Sequence, residues 1–364
     1  MDRNKYNRKG EREMRQKRGL VGTWFVLFVM AIFLSAGMAY GQAKKYEVEI
    51  SGLWTGTNPY TIAVYWAELI NKNSKIVKAI AREGRGPAVD MKTLIMKPEK
   101  RKSLVFFQVE DEVWAAKRQI GDWKNFAGKY ELDNFRHIAF GGFTVDVLLT
   151  TNPKIRTLAD MNGKSTVISN VSKASSKAVA FEEIFKVAGV KPKYQYLGMN
   201  AMTDAARDGT VDVIHGGINP VGSGKWEPSP YLNELFAMKD VYAISIDPSV
   251  LTKMKQATGH PGTIVTIPAG NIGKSQKQPT TALGKCMNWG VDVSMPDEVV
   301  AEILRIYVEN VDKFQQLSPA ARVITKKTVA AVEVPEARMH PAAVKFYKAN
   351  KIQIGSLKAA GVIK

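Results

Sequence analysis

The chain has 364 residues, 45% hydrophobic and 24% charged, enough apolar material for a sizeable core spread over two or three lobes. Its single cysteine, Cys286, excludes an intrachain disulfide framework and a cysteine-built metal site. The net charge of +18 is uneven: residues 1–18 hold eight Lys/Arg against three acids, and the remaining +13 is scattered among interleaved acids, with no arginine-rich tract or recognition-helix motif, so nucleic acid is not an expected partner.

The basic head is followed by Leu20–Leu34, fifteen mostly apolar residues, and by a small-residue stretch, Ser35 to Gly41. A basic segment, a short apolar core and small residues describe a secretory signal, with cleavage after Ala39 or Gly41. The core is short for a membrane span of about 20 residues. The long basic segment leaves an uncleaved anchor as the alternative. No cysteine lies near the site for lipid attachment. Residues 1–41 are therefore an address, and the mature chain is expected to be exported.

Tyr46–Ile50 alternates like a strand, and a polar loop with Thr55, Thr57 and Asn58 leads to a helical pattern of Ile62, Tyr65, Trp66, Leu69 and Ile70. Tyr60, with its polar end, is the aromatic of that loop suited to ligand contact. A turn at Glu83–Pro87 precedes a short helix. Ser103–Val109 is an apolar strand ending in Gln108. Arg136–Phe140 and Val145–Thr150 read as two strands separated by Gly141-Gly142. After a turn at Leu158–Lys164 comes a strand through Thr166–Ile168. Ser169 to Ala180 follows, a strand-to-helix turn crowded with Ser172, Lys173, Ser175 and Ser176. A helix carrying Val179, Ile184, Phe185 and Ala188 on one face comes next.

Free N–H groups and partial positive charge at a helix start favour an anion. The serines add short hydrogen bonds, although one of them is needed simply to cap the helix. Lys173 adds a cation expected to pair with an anionic group of a ligand. Met199–Asp208 is a helix, and Val211–Ile214 a strand running into a glycine-rich loop that holds Asn219. Strands follow at Val241–Ile246, Gly262–Gly270 and Pro279–Val293. Ser294–Asp297 has the form of a capping box opening one long helix from Val300 to Leu317. A short helix and a loose tail complete the chain.

Strands alternating with helices imply α/β lobes with mostly parallel sheets. In such sheets ligands lie beyond the carboxyl ends of strands, so the loops at Thr55, Gln108, Ser172 and Asn219 can converge on one cleft. His137, His215, His260 and His340 share no metal-ligand spacing and read as isolated residues. No nucleophile–base pair is visible, since Ser175 lacks a glycine-flanked elbow, so an exported enzyme is the weaker alternative.

These loops resemble the TAXI family of TRAP-transporter solute receptors, over about Val48 to Ile352. The matching segments are Leu158–Lys164, Ala206–Asp212, Thr266–Gly270, Met295–Val300 and His340–Ala343 followed by Phe346-Tyr347. The resemblance implies a type II-like, two-lobed periplasmic binding protein with each lobe a mostly parallel sheet, joined by crossing hinge strands. The expected division is 42–146 and 282–364 for one lobe and 147–281 for the other. It also implies a monomeric receptor, not an enzyme, without a cofactor, that closes on a small organic acid, a carboxylate with an amino acid or a dicarboxylate among the candidates, and hands it to TRAP transporter membrane subunits. A sensory subunit binding the same ligand is the alternative. By position, the family's ligand loops map onto Thr55, Thr57, Asn58 and Tyr60, onto Gln108, onto Ser172–Ser176 and onto Asn219. Lys173 stands where the family favours a small residue.

Overall fold

The computed structural model describes residues 46–169 and 173–363, so the expected signal or anchor and Ser172 lie outside the described residues. The chain opens with β1 (Tyr46–Ser51), α1 (Asn58–Asn73), β2 (Val77–Arg82), α2 (Pro87–Met96), β3 (Leu104–Gln108) and α3 (Glu110–Lys117). It crosses on β4 (Phe135–Thr150) to β5 (Ser165–Ser169), α4 (Ser176–Ala188), β6 (Lys193–Tyr196), α5 (Met199–Arg207), β7 (Val213–Gly222) and β8 (Lys225–Pro228). Then come α6 (Asn233–Met238), β9 (Tyr242–Ile244), α7 (Pro248–Thr258) and β10 (Thr263–Ile267). It returns on β11 (Thr280–Asp292) to α8 (Asp297–Glu309), α9 (Val311–Phe314) and α10 (Pro341–Ala349).

The strands form one mixed sheet in the order β2-β1-β3-β11-β4-β7-β5-β6, with β10 beside β11, β8 beside β7 and β9 beside β4. β1, β2 and β3 are parallel to one another, as are β5, β6 and β7. Among the described strands, β4 and β11, antiparallel to each other, join the two sets, β11 pairing with β3 and β4 with β7. The sheet thus has two halves with helices on their faces, an α/β fold. The register of β4 and β11 slips at Met287/Asn288, which face Gly142 and Phe140 and leave Gly141 unpaired. A Cβ on Gly141 would lie 3.2 Å from both Met287 O and the Phe107 ring, and Gly142 has φ +150°. Two glycines are what this bulge between the halves accommodates.

The expected pair of strands around Gly141-Gly142 is therefore one strand of 16 residues with a bulge. A glycine pair reads as a turn in sequence, but here β11 alongside keeps the chain extended. Likewise His215–Pro220 is not a loop: β7 runs through it, held on one side by β4 and on the other by β8. The capping box is also absent. Ser294 donates to Asp292 Oδ1 (2.6 Å) instead, and Pro296 precedes the helix without a side-chain cap. The long helix breaks where Asn310 Nδ2 donates to Ile306 O (2.7 Å), a side chain competing with the backbone ladder. Leu357 is fully buried, so the tail packs on the body.

The core of the first half is aromatic. Trp66 of α1 meets Tyr307 of α8 and Trp289 of β11 at ring separations of 4.7 and 5.5 Å, and its Nε1 donates to Ile303 O. Burying such rings, at roughly 1.5–3 kcal/mol for a Phe-sized side chain, is the main force holding helices on this sheet. The second half packs Phe181, Ile184 and Phe185 of α4 against Leu251 and Met254 of α7.

Candidate functional site

α3 follows β3 at once, and α4 follows the turn after β5, so two helix starts from opposite halves meet across the sheet. Ser175 caps α4 by accepting from Ala178 N (3.2 Å), and Gly189, with left-handed φ +70°, ends the helix. Ser176 is buried and donates across the halves to Glu112 Oε1 of α3 (2.7 Å). Trp123 Nε1 donates to Glu112 Oε2 (3.2 Å). Asp122 N donates to Ala174 O (2.6 Å), and Trp114 Nε1 and Arg118 Nη1 both donate to Thr258 O at the end of α7 (2.8 and 3.0 Å). Gly121 permits this approach: its φ is +60°, and a Cβ there would lie 2.3 Å from Ala174 O.

A charged cluster lies within this seam. Asp146 of β4 points to the face covered by α4. Lys285 of β11 pairs with Thr144, two residues from Asp146, and so shares that face. Lys177 reaches it from the first turn of α4. Asp146 Oδ1 is 2.9 Å from Lys177 Nζ, and Oδ2 is 2.7 Å from Lys285 Nζ. His215 of β7 pairs with Leu148, which again places it on the face of Asp146. It is 1% exposed, and neither ring nitrogen has a hydrogen-bond partner among the described residues. Asp111 of α3 completes the group, with His260 Nε2 3.9 Å from its Oδ1.

Burial pushes the Asp146 carboxyl up, but Lys177 and Lys285 outweigh it and hold the group well below the usual carboxylate range. The lysines diverge. Burial lowers Lys177, with Asp146 only partly opposing; for Lys285 burial is overcome by Asp146 and then Asp111, and the ammonium is raised. His215 is driven well down by burial, with Lys177 adding to the shift, and stays neutral. Burial raises Glu112 against its bonds from Ser176 and Trp123. A small cavity is lined by Asp111, Asp146, Lys177 and Lys285 and by apolar residues of α4 and β11, with room for about one water as the halves stand. Anion recognition through two half-buried ammoniums is the chemistry this arrangement offers. Among the described residues no group of three or more His, Cys, Asp or Glu could hold a metal.

A second cluster lies wholly within the first half. Glu110 Oε1 accepts from His137 Nε2 (2.5 Å) and Arg338 Nη2 (3.0 Å), and Arg338 Nη1 reaches Asp133 (2.9 Å). Burial pushes Glu110 up, but His137 and then Arg338 bring it down to about 2. His340 N donates to His137 O (2.9 Å), so this cluster fastens the carboxyl-terminal segment to β4.

The expected site residues divide among these places. Ser176 joins the seam and Ser175 caps its helix. Asn219 is buried on β7 two residues beyond Gly217, the partner of Asp146, and donates to Ser229 Oγ (3.0 Å). Gln108 belongs to the second cluster, its Nε2 3.3 Å from His137 Nε2. Lys173 is exposed in the turn before α4, and Lys177, one turn further on, is the lysine that reaches the charged cluster. Thr55 N bonds Glu83 (2.9 Å), Thr57 Oγ1 donates to Trp54 O (2.7 Å), and Asn58 starts α1 with Tyr60 half-buried beside it. These bonds stay within the first half. Sequence reasoning missed Asp146, Lys177, Lys285 and His215 as partners. The available signal was a charge inside an apolar strand run: Asp146 between Val145 and Val147.

The sequence profile described as NMT1-like family matches residues 54–350. The chain matches no curated protein sequence. Among solved structures it is similar to MatC (Rpa3494) from Rhodopseudomonas palustris with bound malate, at 14% identity and TM-score 0.48, over 83% of this chain and 95% of that one. It is also similar to a TctC solute binding protein from Polaromonas (13%, TM-score 0.47, 84% and 98%) and to R. palustris Rpa4515 with adipate (12%, TM-score 0.48, 87% and 98%).

Proposed function

The chain belongs to the NMT1-like family, and from that premise we propose that it is an extracytoplasmic solute receptor, not an enzyme, that closes its two halves around a small organic acid. The observation that carries this reading is the meeting of Lys177 and Lys285 at one carboxylate, with Asp111 of the first half lining the same cavity. One stands on a helix of the second half and the other on a strand that crosses both halves, and a single carboxylate, Asp146, holds them together. A ligand carboxylate competing for these ammoniums would be gripped as the halves close. The bulge at Gly141 and Met287/Asn288 is the natural hinge, with α3 and α4 as the closing faces.

The finer reading follows the resemblance to TAXI receptors. The turn of Ser172–Ser176, with Asn219, guides the anion in. Thr55, Thr57, Asn58, Tyr60 and Gln108 contribute from the first half when it is open. The permease served is of the TRAP type. Small-angle scattering with and without a saturating organic acid tests closure: compaction is expected, and an unchanged radius with proven binding contradicts hinge motion. Co-purification with TRAP membrane subunits encoded beside the gene tests the partner.

A further inference from the structure

The cavity beside the cluster is asymmetric, and the asymmetry bears on which acids fit. This inference rests on the receptor reading above and narrows its ligand. Lys177, Ala180, Phe181 and Ile184 all line the cavity and stand at i, i+3, i+4 and i+7 of α4, so they share one helix face. Lys177 is at the amino-terminal end of that stripe, and the two turns beyond it are apolar. Leu283 of β11 faces them from across the cavity. Phe181 and Ile184 are 3% and 1% exposed. The charged lining residues are Lys177, Lys285, Asp146 and Asp111. Both ammoniums already pair with Asp146, Asp111 lies beside them, and among the described residues no further cation lines the apolar end.

We infer that the site takes monocarboxylates with an apolar tail, the head at Lys177 and Lys285 and the tail along the Ala180–Phe181–Ile184 face of α4, and that it discriminates against dicarboxylates. A second carboxylate would have to sit among Phe181, Ile184 and Leu283. Desolvating an unpaired carboxylate there costs far more than burying a methyl group returns. It would also add a second negative charge to a site that already holds Asp111 and Asp146. Since the closed cavity holds little more than one water, the tail enters only when the halves part and the Phe181–Ile184 face of α4 also loosens from Leu283 and from Leu251 and Met254 of α7.

Hexanoate and adipate make a matched pair: six carbons each, with a methyl group on one and a second carboxylate on the other. Isothermal titration of the purified full chain at pH 7 is expected to give hexanoate an affinity at least tenfold above adipate, with benzoate ranking with hexanoate and succinate with adipate. Adipate, succinate or glutamate binding as tightly as hexanoate overturns the inference and leaves the receptor reading intact. Binding of none of these acids overturns both. A second variant, Ala180→Leu, fills the tail region with a side chain suited to a helix. It is expected to lower hexanoate affinity at least tenfold. Unchanged hexanoate affinity in the folded variant also overturns the placement of the tail. Should the variant not fold, the matched pair decides alone.

Discussion

The first three residues of α3 divide between two clusters of similar composition. Glu110 turns back into its own half and meets His137 and Arg338, while Asp111 and Glu112 face the other half across the seam. Both clusters contain carboxylates, cations and a buried histidine. The histidines differ in a telling way: His137 has Glu110 at its Nε2, whereas His215 has no partner on either nitrogen among the described residues. One cluster ties the carboxyl-terminal segment to β4. The other spans two halves of a sheet at a bulge and lines a cavity. Charge burial inside one half therefore reads as a staple, and the same chemistry between two halves reads as a binding site.

The largest effect expected from breaking this comparison is on the spanning cluster. Asp146→Asn leaves two partly buried ammoniums, with side chains 21% and 17% exposed, without their shared anion and is expected to cost about 2–3 kcal/mol of stability, less than a broken pair that is fully buried. Urea denaturation measures it, and a loss under 1 kcal/mol would mean that the cluster is solvated. Next comes the staple. Glu110 is held at about 2 against an ordinary 4.5. A lowered folded value gives stability that is present above about pH 4.5 and lost as pH falls toward 2. Glu110→Gln should flatten that acid limb of the stability–pH curve, and an unaltered limb would assign the acid sensitivity elsewhere. Ser176→Ala removes the donor to buried Glu112 and is expected to cost about 1–2 kcal/mol, with a larger radius in scattering if the seam loosens. The smallest effect is that of Lys173→Met. An exposed lysine changes stability and affinity by a few tenths of a kcal/mol, and a tenfold loss of affinity would place Lys173 among the anion contacts.

Much of the fold was legible because periodicity reports burial. The apolar run 103–109, the helical face around Trp66 and the crossing strand 280–292 all stand where their patterns put them. The pattern failed where a neighbour from far along the chain decides the conformation. Gly141-Gly142 stays extended because β11 lies beside it, and His215–Pro220 because β4 and β8 do. The candidate site was legible only in part. Ser176 could be singled out as a small polar residue at a helix start. Lys177 stood in the same stretch but attracts no notice without its partner Asp146, which is far away in sequence and near only across the sheet. An ion pair between distant segments leaves no periodic trace.

The central claim is that the spanning cluster, and not the staple, is where the ligand is held. Isothermal titration of wild type, Lys285→Met and Glu110→Gln with the organic acid that binds wild type most tightly tests it most directly. Lys285 should lose about 2–5 kcal/mol of affinity on truncation, the range for a buried charge pair broken on one side, while Glu110→Gln stays within twofold of wild type. Equal affinities for Lys285→Met and wild type, or a loss confined to Glu110→Gln, would contradict it.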